Sequence, residues 1–209
     1  MVFEPEWRIK ISDICIELYR LSKKYQYPMA PSSPLPPSSP SSNPVIPTVE
    51  EAVREHKSQH GNKRLAWQSF SYHSETDPEA KYWLGYYYYH EEIPELQLIS
   101  RDERIRIALN IFKETADKGN PSAAIRYGMC LWKGEGAEPN PFEALRYFEM
   151  AANLGNAAAM YIIGKAYWNG GNGIEQDKNL GAEYLKRAAL NDHPAAKELC
   201  SQHRLFDFN

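Results

Sequence analysis

The chain has 209 residues, with 24 Lys and Arg against 27 Asp and Glu and a net charge of −3. Both signs are interspersed, so the sequence shows no basic face of the kind that holds nucleic acid, and no apolar run reaches the ~18 residues of a membrane span. Cys15, Cys130 and Cys200 are few, odd in number and widely spaced, which argues against a disulfide framework and for a reducing compartment, cytoplasmic or nuclear.

The opening "MVFEPEWRIKISD" lacks a secretory apolar region. Pro5 suits the first position of a helix, and Trp7, Ile11, Ile14, Leu18, Leu21 and Tyr25 follow 4-3-4-3-4 spacing. Residues 1–27 therefore read as one amphipathic helix whose apolar stripe must dock on something. Residues 28–47, "PMAPSSPLPPSSPSSNPVIP", hold eight prolines and six serines and read as an extended, disordered linker. Ser33 and Ser39, each followed by proline, are candidate phosphorylation sites. About twenty residues at roughly 3.1 Å each reach on the order of 60 Å. That is enough to bring residues 1–27 back onto the following domain, either in its groove or as a cap.

"TVEE" (Thr48 to Glu51) restarts ordered structure with a capping-box pattern. His56 and His60 have helical i, i+4 spacing, but no third ligand is evident, so they read as a solvated helix face rather than a metal site. From here the chain is helical in pattern throughout. Its decisive feature is a period. "PSAAIRYGMCLWKGEGAEPNPFEALRYFEMAANLGN" (121–156) recurs as "AAAMYIIGKAYWNGGNGIEQDKNLGAEYLKRAALNDH" (157–193), after an earlier copy over 78–120 with seven extra residues. Residues 48–77 read as a degenerate copy and 194–209 as a capping half-copy.

Each copy reads as a helical hairpin. Asp77-Pro78, Asn120-Pro121, Asn140-Pro141 and "SRDE" (Ser100 to Glu103) announce helices, and Gly119 and Gly155 sit where a left-handed cap is needed. Gly85, Gly128 and Gly164 fall inside helices, at about 1 kcal/mol each relative to alanine. Close packing on Ala108, Ala144 and Gly181 is the expected compensation.

These residues resemble the Sel-one-like repeat (SLR) family, a branch of the tetratricopeptide-like α-solenoids. Ala159, Ile163, Gly164, Tyr167, Gly170, Ala188 and Ala189 match its pattern in one copy, and Ala123, Gly128, Gly134, Gly136, Ala144, Ala151, Ala152 and Gly155 in the copy before. Glu91 and Asp192 depart from it, standing where glycine is usual. The resemblance implies an all-α, right-handed solenoid over 48–209 and an adaptor that assembles proteins.

Within "AKYWLGYYYYHEE" (80–92), Ala80, Leu84 and Tyr88 form one i, i+4 stripe facing the second helix. Tyr82, Tyr86 and Tyr89 form a separate stripe, which in tetratricopeptide-like solenoids lines the concave surface. The equivalent positions are Ile125, Met129 and Trp132, then Tyr161, Lys165 and Trp168, with His90, Lys133 and Asn169 at the loop end. One face is core; the other waits for a protein or peptide partner, because aromatics at such a surface dominate binding. No catalytic set, cofactor site or phosphate loop emerges. Two other readings stay open. The chain could be a regulatory subunit or activator of an enzyme in a kinase or synthase pathway, or a weak hydrolase using the His90 and Lys133 end of the groove. A purely structural oligomer is a third.

Overall fold

Thr48 opens the first described helix with a full capping box: its side chain accepts from the Glu51 amide, and Glu51 accepts from the Thr48 amide at 2.9 Å. The computed structural model describes residues 46–205. The expected N-terminal helix, most of the Pro/Ser segment, Cys15, Ser33 and Ser39 lie outside the described residues. The last residue of that segment is tied to the following helices. The Pro47 carbonyl accepts from Ser69 Oγ at 2.8 Å and lies 3.1 Å from His73 Nε2.

The described residues form nine α-helices: α1 (Val49–Lys57), α2 (Lys63–His73), α3 (Pro78–His90), α4 (Arg101–Asp117), α5 (Pro121–Lys133), α6 (Pro141–Asn153), α7 (Ala157–Asn169), α8 (Lys178–Leu190) and α9 (Pro194–Gln202). A 3₁₀ turn, Pro94–Leu98, lies between α3 and α4. Substantial packing joins consecutive helices all along the series, which is the contact pattern of a solenoid. The all-α solenoid expected from the period is what the chain forms.

The helix starts follow the sequence signals. Asp77, Asn120, Asn140, Asn156 and Asp177 each accept a first-turn amide, and proline follows directly at 78, 121 and 141. His193 does the same for α9, its Nδ1 accepting from the Ala196 amide at 3.3 Å. Gly119 and Gly155 take φ of 91° and 85° after the second helices, as a left-handed cap requires.

Helix-interior glycines close the three repeat hairpins, in the last against Gly181 as expected but in the first two mainly against other groups. A Cβ on Gly85 would lie 2.8 Å from the Phe112 ring, and one on Gly128 2.6 Å from the Phe148 ring. On Gly164 it would lie 2.8 Å from Leu185 Cγ, and Gly181 would in turn meet the Gly164 carbonyl at 3.0 Å. So in the first two copies a phenylalanine one turn beyond the small residue nests on the glycine. Ala144 contributes only its carbonyl, and Ala108 is not among the nearest groups to Gly85.

Glu91 and Asp192 adopt the left-handed conformation despite their side chains, with φ of 55° and 62°. That costs on the order of 1 kcal/mol each. At Glu91 the compensation is visible. Buried Arg104 pairs with the Glu91 carboxylate, donates from Nε to the Ile99 carbonyl at 3.2 Å, and from Nη1 to the Tyr88 carbonyl at 3.3 Å. One guanidinium thus holds both ends of the longer loop. Ile93 and Leu96 plug that loop into the core, and its acids reach back to α2: Glu95 pairs with Arg64, and Glu92 with Lys63 at 3.5 Å.

Candidate functional site

Helix α3 is apolar nearly all round because it is covered on more than one side. Ala80, Leu84 and Tyr88 are fully buried, as the i, i+4 stripe requires. Tyr87 is also fully buried, on a third face turned to the preceding copy, where its ring lies 5.6 Å from Phe70. Trp83 turns the same way, 5.9 Å from Phe70 and 4.6 Å from the His56 imidazole.

That arrangement corrects the reading of His56. It does not stand on a solvated face; its ring packs against Trp83, Tyr86 and Tyr87, and its Nδ1 lies 3.2 Å from the Tyr87 hydroxyl. Burial, with the nearby Lys63 charge, lowers its pKa below the usual histidine value. His60 remains exposed, and among the described residues no three His, Cys, Asp or Glu side chains gather as a metal site.

The stripe proper stays partly open. Tyr82, Tyr86, Tyr89, Ile125, Met129, Trp132, Tyr161 and Trp168 are all half-buried, while His90, Lys133, Lys165 and Asn169 are exposed. None of the twelve is sealed in the core. Between α3 and α5 the copies are joined along this stripe by polar side chains. The Arg126 guanidinium of α5 sits 5.4 Å above the Tyr86 ring of α3. The Tyr89 hydroxyl donates to the Glu135 carboxylate in the loop after α5. Burial and that hydrogen bond hold the Tyr89 pKa above the usual tyrosine value.

His90 lies against Tyr86 and Tyr89, with ring centroids 4.2 and 4.8 Å away. Partial desolvation against those rings and the Arg126 charge lower its pKa below the usual histidine value. At the other end, Tyr161 stacks on His193 at 4.5 Å and Trp168 lies 4.9 Å from His203, so α9 closes the last copy with a histidine at each end. Trp132 leans toward Phe148, at 6.3 Å. The sequence pattern did not single out Trp83, Arg126 or Glu135. Trp83 and Arg126 occupy the same position in successive copies, three residues before Tyr86 and Met129, and that offset was the available signal.

Cys130 and Cys200 are buried free thiols, and burial pushes the Cys130 pKa up to about 11. A buried thiol held protonated is a poor nucleophile. No helix among the described residues is long and apolar enough to cross a membrane.

Hairpins stacked in series, three of them nesting a large side chain on a helix-interior glycine and together leaving one aromatic stripe half-open, define a helical-repeat solenoid. The family model of the Sel1 repeat matches residues 78–120, 121–156 and 157–193, together more than half of the chain, and the protein belongs to that family. Two solved structures share the fold. A Sel1 repeat protein from Oxalobacter formigenes superposes with a TM-score of 0.64 at 23% identity, over 73% of this chain and 60% of that one. A protective antigen of uropathogenic Escherichia coli displaying an SLR fold gives 0.59 at 23% identity, over 71% of this chain and 31% of that one.

Curated relatives come from the fission yeast Schizosaccharomyces pombe. Chitin synthase regulatory factor 3 is 30% identical over 87 residues, 42% of this chain and 9% of that protein. Factor 2 is 31% identical over 101 residues, 48% of this chain and 20% of that protein. Factor 4 is 32% identical over 123 residues, 56% of this chain and 19% of that protein. The match therefore spans a fifth or less of each of these relatives.

Proposed function

We propose that the protein is a non-catalytic regulatory adaptor that holds a segment of a partner protein along the half-open stripe of α3, α5 and α7. The observation that carries this reading is the stripe itself. Eight large apolar side chains on three helices stay half-buried, although nine consecutive helices were available to cover them. An open aromatic surface of this kind supports an interaction site, and tyrosine and tryptophan are the residues that contribute most at such sites. The names of the fission-yeast relatives favour a finer version, in which the partner is an enzyme of the chitin synthase class and the adaptor regulates it.

The test is co-purification with a candidate enzyme of that class, comparing the natural chain with Trp132→Ala and with Arg146→Ala, an exposed position on α6. Loss of the complex with Trp132→Ala alone, in a protein that still melts cooperatively, is the expected result. Equal retention by both variants would remove the stripe from the interface.

A further inference from the structure

The stripe is not electrically neutral. Arg126 is half-buried over Tyr86 at 5.4 Å, and Lys165 lies over Tyr161 at 5.7 Å. Neither makes an ion pair among the described residues. The carboxylates at the stripe's loop end are engaged elsewhere: Glu135 by the Tyr89 hydroxyl, with Lys133 at 3.9 Å, and Glu92 by Lys63 at 3.5 Å. Arg126 and Lys165 therefore stand unmatched on rings of the stripe, as does Lys178, 5.8 Å from the Trp168 ring, in a chain whose net charge is −3.

A cation resting on a ring is partly desolvated, and the ring fixes where it points. A carboxylate arriving there gains a charge-assisted hydrogen bond without having to order the cation first. The His56 and His90 imidazoles pack on Tyr86 with centroids 5.2 and 4.2 Å away, and both have pKa values lowered from the usual histidine value.

We infer that the stripe selects an acidic peptide, one whose carboxylates meet Arg126 and Lys165 while its apolar side chains lie on Tyr86, Trp132 and Trp168. The inference rests on the stripe being the binding face. The chain's own N-terminal segment does not have this chemistry, because residues 1–27 carry five Lys and Arg against four Asp and Glu.

The experiment measures fluorescence anisotropy of dye-labelled peptides with the full chain. One peptide alternates Asp and Glu with Leu and Tyr. A second replaces every acid by lysine, and a third by the matching amide. The acidic peptide should bind about tenfold tighter than the lysine peptide, with the gap narrowing as salt is raised. In Arg126→Gln/Lys165→Gln the gap should shrink to within about twofold. Lys165→Glu alone, at an exposed position, should narrow it too, and so keeps the test decisive if the double variant fails to fold.

Equal binding of all three peptides, lost in Trp132→Ala, would overturn acidic selection and leave the binding face standing. Acidic preference untouched by Arg126, Lys165 and Trp132 substitutions would overturn both. Absence of binding by the natural chain to every peptide would overturn the inference.

Discussion

The Phe148 ring lies so close over Gly128 that a methyl group there would sit 2.6 Å from it. Backbone stands on the same side, with the Ala144 carbonyl at 3.1 Å. The glycine therefore sets how closely α5 and α6 approach. Gly128→Leu should force the hairpin apart at a cost of about 2 kcal/mol or more, which overwhelms the gain of about 1 kcal/mol in helix propensity. The thermal midpoint should fall by roughly 2–4 °C for each kcal/mol of net loss. A scanning-calorimetry trace that matched the natural protein would show that this contact does not set the hairpin spacing.

Arg104 is the single residue that ties Glu91, Tyr88 and Ile99 together. Arg104→Met keeps much of the apolar stem and removes every one of those bonds. We expect a loss of about 2 kcal/mol, within the range for hydrogen bonds to a charged group. Hydrogen exchange should accelerate over residues 91–100 before it does in α4. Uniform acceleration across the chain would mean that the loop and the hairpin open as one unit.

The same loop shows where the sequence was legible and where it was not. Departure from glycine at Glu91 and Asp192 could be read directly, and both residues do adopt the left-handed backbone. That Arg104 offsets the cost at Glu91 could not be read, because the pair forms only once α3 and α4 have packed. The hairpins and their caps were legible because Asn-Pro and Asp-Pro act locally. Helical periodicity likewise groups Tyr82, Tyr86 and Tyr89 on one stripe, which the structure leaves half-buried. His56 was misread for the opposite reason. The copy containing it lacks the repeat's pattern, so nothing in its neighbourhood announced that Trp83, Tyr86 and Tyr87 would cover it.

Burial lowers the His56 pKa below the ordinary 6.5, so the folded state binds this proton less readily than the unfolded chain does. The stability it contributes is present above pH 6.5 and is lost as pH falls through the lowered folded value. The melting temperature should therefore decline between pH 7 and about pH 5, before the carboxylates titrate. His56→Gln should flatten that decline. A decline unchanged in the variant would assign it to another group.

Cys130 and Cys200 should resist alkylation in the native protein, since burial raises both thiol pKa values, that of Cys130 to about 11. At pH 8 both should react only as fast as the protein opens, and rapidly in denaturant. Mass spectrometry of partly labelled protein checks this residue by residue. Fast native labelling of Cys130 would show that the ends of α5 and α6 open far more readily than their packing implies.

The central claim is that the half-open stripe of α3, α5 and α7 is the face that meets a protein partner. Site-specific photo-crosslinking tests it most directly, with benzoylphenylalanine placed at Tyr86 on the stripe or at Glu183, exposed on α8. Each labelled chain is then illuminated in complex with the same co-purified enzyme. The account predicts a crosslinked product from position 86 that disappears when Trp132→Ala is added, and little or none from position 183. Equal crosslinking from both positions, or a product from position 86 that survives Trp132→Ala, would contradict it.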